Sequence, residues 1–234
     1  GNENFYWGRP TDLNKDLAID TVRLWSFLNA TQSDKLKEYK GKDLEKALPN
    51  QLAKVISTKG LLEVLRNGIN LDNLEGIKLF YPQPSEADSE ESKRLYAKNQ
   101  FSITRQQTFS KAHPGLEIDM VVYVNGLPLF TIELKNPWTH QTARYDGQKQ
   151  YREERNPKEP LLNYGRCLAH FTMDKDEVFF TTRLNEGKTF FMPFNQGLPD
   201  GRGAGNPVNE AGYKTSYMWE RILTKETLSD IIMN

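Results

Sequence analysis

The stretch Asp119–Lys135, "DMVVYVNGLPLFTIELK", constrains the fold more than any other part of the chain. Two apolar runs flank Asn125-Gly126, a dipeptide that marks a tight hairpin. Hydrophobic flanks on both faces imply a central strand pair rather than an exposed one. Yet Asp119, Glu133 and Lys135 sit near the far end of these runs, and charged side chains are seldom buried without a partner. Glu133 and Lys135 are two apart, so they leave the same face of one strand. Asp119 is harder to place. With Asn125-Gly126 alone as the loop, Val124 faces Leu127 and Asp119 faces Ile132. Directly opposed residues share a face, so Asp119 would then point away from Glu133 and Lys135. A shared site requires a one-residue shift that pairs Asp119 with Thr131 or Glu133, or a break in pairing before Asp119. The hairpin is therefore expected not to be a plain two-residue turn. A three-residue loop with a left-handed Gly126 and a bulge supplies the shift. Pro128, which has no N–H for the ladder, acts in the same direction.

An Asp on one strand and Glu-x-Lys on its neighbour meet the needs of phosphodiester hydrolysis with few parts. The carboxylates of Asp119 and Glu133 are hard oxygen ligands of the kind Mg²⁺ takes, and the Leu134 carbonyl is a further candidate. Lys135 offsets charge on the pentavalent phosphorus and helps orient the attacking water. A bound cation also keeps the two acids ionised despite their mutual repulsion. The competing reading is a surface hairpin with a solvated polar edge, because this spacing arises often by chance.

The 234 residues suffice for one large domain, or one domain with an appendage. Lys plus Arg number 31 and Asp plus Glu number 31. That balance argues against a generally basic nucleic-acid coat, though not against a local basic groove. One cysteine, Cys167, permits no internal disulfide, so a reducing, cytoplasmic setting is expected. No run approaches the roughly 18 apolar residues of a membrane span, and no secretory signal is visible. Gly1 in place of Met points to a chain that is processed, tagged or cut from something longer.

Ile19, Val22, Trp25 and Leu28 predict an amphipathic helix ending near Asn29, and "TQSDKLKEY" begins another. "LEKALPNQLAKVISTKGLLEVLRNGI" adds one or two more, closed by Asn67-Gly68. Residues 1–95 thus read as mainly helical and include a polar, acidic loop over 82–93. The period then changes. "FSITRQQTF", "RCLAHFTMD", "EVFFTTRL" and "TFFMPF" read as strands. "THQTARYDGQKQYREERN" reads as a helix closed by Pro157 and Pro160, and "SYMWERILTKETLSDIIM" as another. The pattern predicts an α/β fold with helices packed on a sheet. It forms a single domain over 1–234, with its sheet in 96–234.

Other motifs are weaker. "GKT" at Gly187-Lys188-Thr189 lacks the P-loop's first glycine, because Thr182 stands there, and its context is a hairpin turn. No HxxxH or HExxH spacing supports a zinc site. His170 and Cys167 read as core packing, and "GRGAGNP" as a surface loop. Arg105, Arg144, Lys149, Arg152 and Arg155 are candidates for a phosphate-binding face, or form an ordinary charged surface.

"IDMVVYVNGLPLFTIELKN" resembles the nuclease signature of the restriction subunit of type I restriction-modification enzymes. "FYWGRPTDLNKDLAID", "LWSFLNATQ", "NQFSITRQQTFS", "PKEPLLNYGRCLAHFTMDKDEVFFTTRL" and "FFMPFNQG" resemble that family in order, over nearly the whole chain. The resemblance implies a restriction-endonuclease-like core of the PD-(D/E)xK superfamily, with a central mixed β-sheet flanked by helices and a largely helical amino-terminal region. It implies Asp119 and Glu133 as metal ligands and Lys135 as the catalytic lysine. Ile118 stands where the superfamily has Pro. It further implies a Gln and a Tyr about one helical turn apart, supporting DNA contact. Tyr151 matches, and Gln148 stands three residues before it, where the family's usual spacing of four falls on Gly147. Gln150 is an alternative. The implied function is metal-dependent cleavage of duplex DNA without its own sequence readout, with Mg²⁺ as cofactor. The implied partners are methylation and specificity subunits and an ATP-driven, helicase-like motor of the same subunit, with no membrane. The motor, ATP binding and the family's first acidic helix are expected outside this chain. The rival reading is a non-catalytic DNA-binding or subunit-docking module that keeps the fold.

Overall fold

The computed structural model describes residues 5–234, without the side chain of Pro137, so residues 1–4 of the expected helical part lie outside the described residues. In chain order, β1 (Tyr6–Trp7) precedes a small hairpin of β2 (Leu13–Asn14) and β3 (Ile19–Asp20). Helices α1 (Thr21–Lys37), α2 (Leu44–Lys59) and α3 (Leu61–Asn67) follow, then a second small hairpin of β4 (Ile69–Leu71) and β5 (Leu74–Ile77), and α4 (Glu90–Tyr96). The central strands are β6 (Phe101–Thr108), β7 (Glu117–Val124) and β8 (Leu127–Leu134). A π-turn, Ala143–Gly147, leads into α5 (Gln148–Glu153), and β9 (Ala169–Met173), β10 (Val178–Thr181), β11 (Met192–Pro193) and α6 (Lys225–Met233) complete the order.

Seven strands form one sheet in the order β1-β6-β7-β8-β9-β10-β11. The β1–β6 and β8–β9 pairs are parallel and the others antiparallel, so the sheet is mixed. One face carries the amino-terminal helices, and Leu24, Phe27, Leu52 and Val64 belong to the same buried cluster as Val122, Phe130, Ile132 and Phe171. The other face carries α5, where Tyr151 joins Val121, Tyr123 and Phe179. The α/β architecture follows the alternation of periods in the sequence.

The hairpin corrects the expected loop and supplies the expected shift. Val124 pairs with Leu127 and Tyr123 with Pro128. Asn125 and Gly126 have φ of 50° and 82°, so the turn is a two-residue loop with both central residues left-handed. A Cβ on Gly126 would lie 2.2 Å from the Asp20 carbonyl, so glycine also serves the close approach of the turn to α1. The bulge comes later. The register slips between Tyr123–Pro128 and Val122–Phe130, leaving Leu129 as the extra residue. Leu127, Leu129, Phe130 and Ile132 all join the cluster under the amino-terminal helices. Thr131 and Glu133 are thereby turned to the α5 face.

The first two helices anticipated from the sequence are one run broken at Gln32, whose φ of −141° is non-helical. The buried Gln32 amide donates to the Lys78 carbonyl and accepts from the Lys78 N–H, each at 2.8 Å, stitching α1 to the segment after β5. The expected acidic loop is partly helical, since α4 starts at Glu90 with Ser89 as its cap. No helix among the described residues is long and apolar enough to cross a membrane.

Asp20 caps α1 by accepting from Arg23 N–H at 2.9 Å. Burial nevertheless pushes its carboxyl up to about 6, outweighing the cap bond. A raised acid favours the folded state at low pH, so its contribution is full below about 4 and is lost as pH rises through about 6. Asp20→Asn keeps a capping acceptor without the charge. Thermal melts from pH 4 to 7 should show the variant gaining on the parent as pH rises, and a constant difference would contradict this assignment.

Candidate active site

Asp119 lies near the start of β7, and Glu133 and Lys135 lie at and just beyond the end of β8. The ladder last pairs Met120 with Ile132, and Asp119 and Glu133 are the next residues along β7 and β8. The Asp119 carboxylate reaches across to β8, accepting from the Leu134 N–H at 2.7 Å. On its other side, the β6 ladder pairs Arg105 with Met120 and Gln107 with Ile118 and skips Gln106. Gln106 is left-handed, with φ of 49°, a sparsely populated conformation for a residue with a side chain. The backbone is thus irregular directly beside Asp119, which no pattern in the sequence foretold.

Glu133 is fully buried, whereas Asp119 and Lys135 are half-buried at the rim. Its Oε1 accepts from Arg155 Nε at 2.7 Å, and both side chains are nearly solvent-free. Burial raises the Glu133 carboxyl to about 7. Arg155 opposes that rise by charge and hydrogen bond, Asp119 adds to it, and Lys135 lowers it. Each of these three charges therefore acts on Glu133. Its Oε2 is buried without a hydrogen-bond partner, and orphaned buried acceptors are rare enough to require an explanation.

The π-turn and α5 run along this face. Gln150 accepts from Lys135 Nζ, so the alternative glutamine is the one that touches the lysine. Gln148 is buried and accepts from Arg152 at 3.0 Å. Tyr151 is fully buried and offers no surface to a duplex. Its hydroxyl bonds Thr131 Oγ1 at 2.8 Å, and that oxygen also bonds His170 Nδ1 at 2.7 Å. Whatever Tyr151 does for the site passes through the strand that carries Glu133. Position 147, where the family's spacing places Gln, packs against β9. A Cβ there would lie 1.7 Å from Thr172 Oγ1, so Gly147 leaves no room for a side chain.

The five basic candidates separate. Arg155 is buried against Glu133 and is not a phosphate contact. Arg144 pairs with Glu177 at 2.5 Å and Lys149 with Glu153 at 3.8 Å. Arg152 donates to the Thr189 carbonyl. Arg105 is exposed and has no ion pair among the described residues. His170 and Cys167 are core groups, with burial pulling the imidazole down to about 4 and pushing the thiol up to about 12.

Among the described residues no three His, Cys, Asp or Glu side chains cluster as a metal site. The candidate donor set is therefore two carboxylates plus main-chain oxygen. A hard divalent cation fits that set, because Glu133 Oε2 is an oxygen acceptor with nothing to accept from. Residues 11–189 match the family model described as type I restriction enzyme R protein N terminus. The search of curated proteins returned no match.

The burial of Glu133 against Arg155 decides what its substitution does. Glu133→Ala leaves Arg155 buried and unpaired, a loss of about 3–5 kcal/mol for such pairs. Denaturant unfolding should show that loss, while Asp119→Asn at the half-buried rim should cost far less. Equal stability of the two variants would contradict the buried pair.

Proposed function

The chain belongs to the type I restriction enzyme R protein N-terminus family, and on that premise we propose that it is the nuclease part of a type I restriction enzyme. It would hydrolyse phosphodiester bonds of duplex DNA in a Mg²⁺-dependent reaction. The observation that carries this reading is the register slip at Leu129, which turns Glu133 to the face of the sheet that Arg155 covers, the face shared by Val121 and Tyr123 on Asp119's own strand. Asp119 and Glu133 would hold the ion, with the Leu134 carbonyl as a further ligand. A bound Mg²⁺ supplies charge that stabilises the transition state and favours ionisation of water. Lys135, steadied by Gln150, offsets negative charge on the phosphoryl oxygens. Buried Arg155 holds Glu133 in place.

DNA, the methylation and specificity subunits and the motor domains of the same subunit are the proposed partners, in a cytoplasmic setting. ATP would be used by the motor and not by this chain. The rival reading, a docking module that keeps the fold, draws on one observation: Glu133 is paired like a structural core residue. The unpaired Oε2 favours the enzyme, because a purely structural carboxylate would gain from satisfying both oxygens.

The test uses the assembled enzyme with Mg²⁺ and ATP. Asp119→Asn, Glu133→Gln and Lys135→Ala should each lower DNA cleavage by about 10²-fold or more, with ATP hydrolysis retained as proof of assembly. Wild-type cleavage by any one of them would remove that residue from the proposed role. Wild-type cleavage by all three would leave the docking reading.

A further inference from the structure

We propose that Arg155 is a positioning residue that fixes Glu133 to present one oxygen, Oε2, to a divalent cation. This rests on the nuclease reading above. Arg155 lies two residues beyond α5 and is held from three sides. Its Nε donates to Glu133 Oε1 at 2.7 Å, and its Nη2 donates to the Glu117 carbonyl at 2.9 Å, at the start of β7. Its guanidinium carbon also lies 5.9 Å from the centre of the Phe109 ring.

This is not the geometry that maximises an arginine–carboxylate pair. The strongest arrangement is a fork, with two parallel N–H groups on the two oxygens. Here one N–H meets one oxygen and Nη2 turns to the backbone, so Oε1 is engaged and Oε2 remains bare. With Oε1 engaged by Arg155, the unengaged oxygen that Glu133 offers a metal is Oε2. Mg²⁺ keeps near-octahedral geometry and retains waters. Coordination through that one oxygen would let Asp119 hold the ion alongside Glu133, with room for water and substrate. The cost of ordering the acid is already met in the folded protein, because Arg155 is anchored to β7 independently of the ion.

The roles of charge and orientation separate in one substitution. Arg155→Lys keeps the positive charge, yet has no Nε–H with a second N–H to anchor it on Glu117. The experiment is a Mn²⁺ titration of the whole chain, with free ion counted by electron paramagnetic resonance, for the parent, Glu133→Gln, Arg155→Lys and Arg155→Met. Thermal melts accompany each titration. The parent should show a site that Glu133→Gln abolishes. Arg155→Lys should melt near the parent and bind Mn²⁺ about 10-fold more weakly, the effect typical of losing a partner behind a metal ligand. Arg155→Met, where it folds, should bind no better than Arg155→Lys. If Arg155→Met does not fold, the lysine variant decides alone. A site lost in Glu133→Gln but unchanged in Arg155→Lys overturns this inference and leaves the nuclease reading standing. A parent with no Mn²⁺ site, or a site indifferent to Glu133→Gln, overturns both.

Discussion

A single surplus residue on β8 organises the site. An uninterrupted ladder from the Asn125-Gly126 turn would send Thr131 and Glu133 to the face covered by the amino-terminal helices. That face is apolar, and Glu133 there would lie among the residues buried under the helices, away from Arg155. With Leu129 as the bulge, Leu127 and Leu129 stay under the helices, Phe130 and Ile132 join them there, and Thr131 and Glu133 change face. Thr131 then reaches Tyr151 and His170, and Glu133 reaches Arg155. The bulge lets a greasy central hairpin carry a carboxylate at its end without burying it unpaired.

The second constraint is charge balance on the α5 face. A fully buried carboxylate is tolerated when paired and hydrogen-bonded. Arg155 meets that need only in part, since burial still raises the Glu133 carboxyl to about 7. The remaining deficit is an acceptor without a donor, close enough to Asp119 and Lys135 to feel both charges. A structure built only for stability has little reason to leave that oxygen bare. A site that receives a cation there does.

Much of this was legible in the chain. The hairpin, the helices of the first part and the mixed α/β architecture follow from short-range period and turn chemistry, whereas β1 (Tyr6–Trp7) joins the sheet expected only in 96–234, because its two residues pair with distant β6. The demand for a one-residue shift was legible too, because Asp119 and Glu133 have opposite parity about a two-residue loop. Its position was not. A bulge two residues into β8 depends on which of Leu129 and Phe130 faces the helices, and that is decided by packing across the sheet. The Arg155–Glu133 pair was equally hidden, since it joins residues 22 apart in sequence through a tertiary fold. Arg155 therefore read as one of several surface cations. The absence of a side chain at Gly147 became intelligible only once Thr172 was placed against it. Tyr151 read as a residue near DNA and lies beneath the strand instead.

Anomalous scattering from a crystal soaked in Mn²⁺ bears most directly on this account. One strong peak should lie between the Asp119 carboxylate and Glu133 Oε2, with Oε1 still held by Arg155 and Lys135 beside the ion. No peak at that position at saturating Mn²⁺, or an ion bound while Asp119 and Glu133 remain uninvolved, would contradict it.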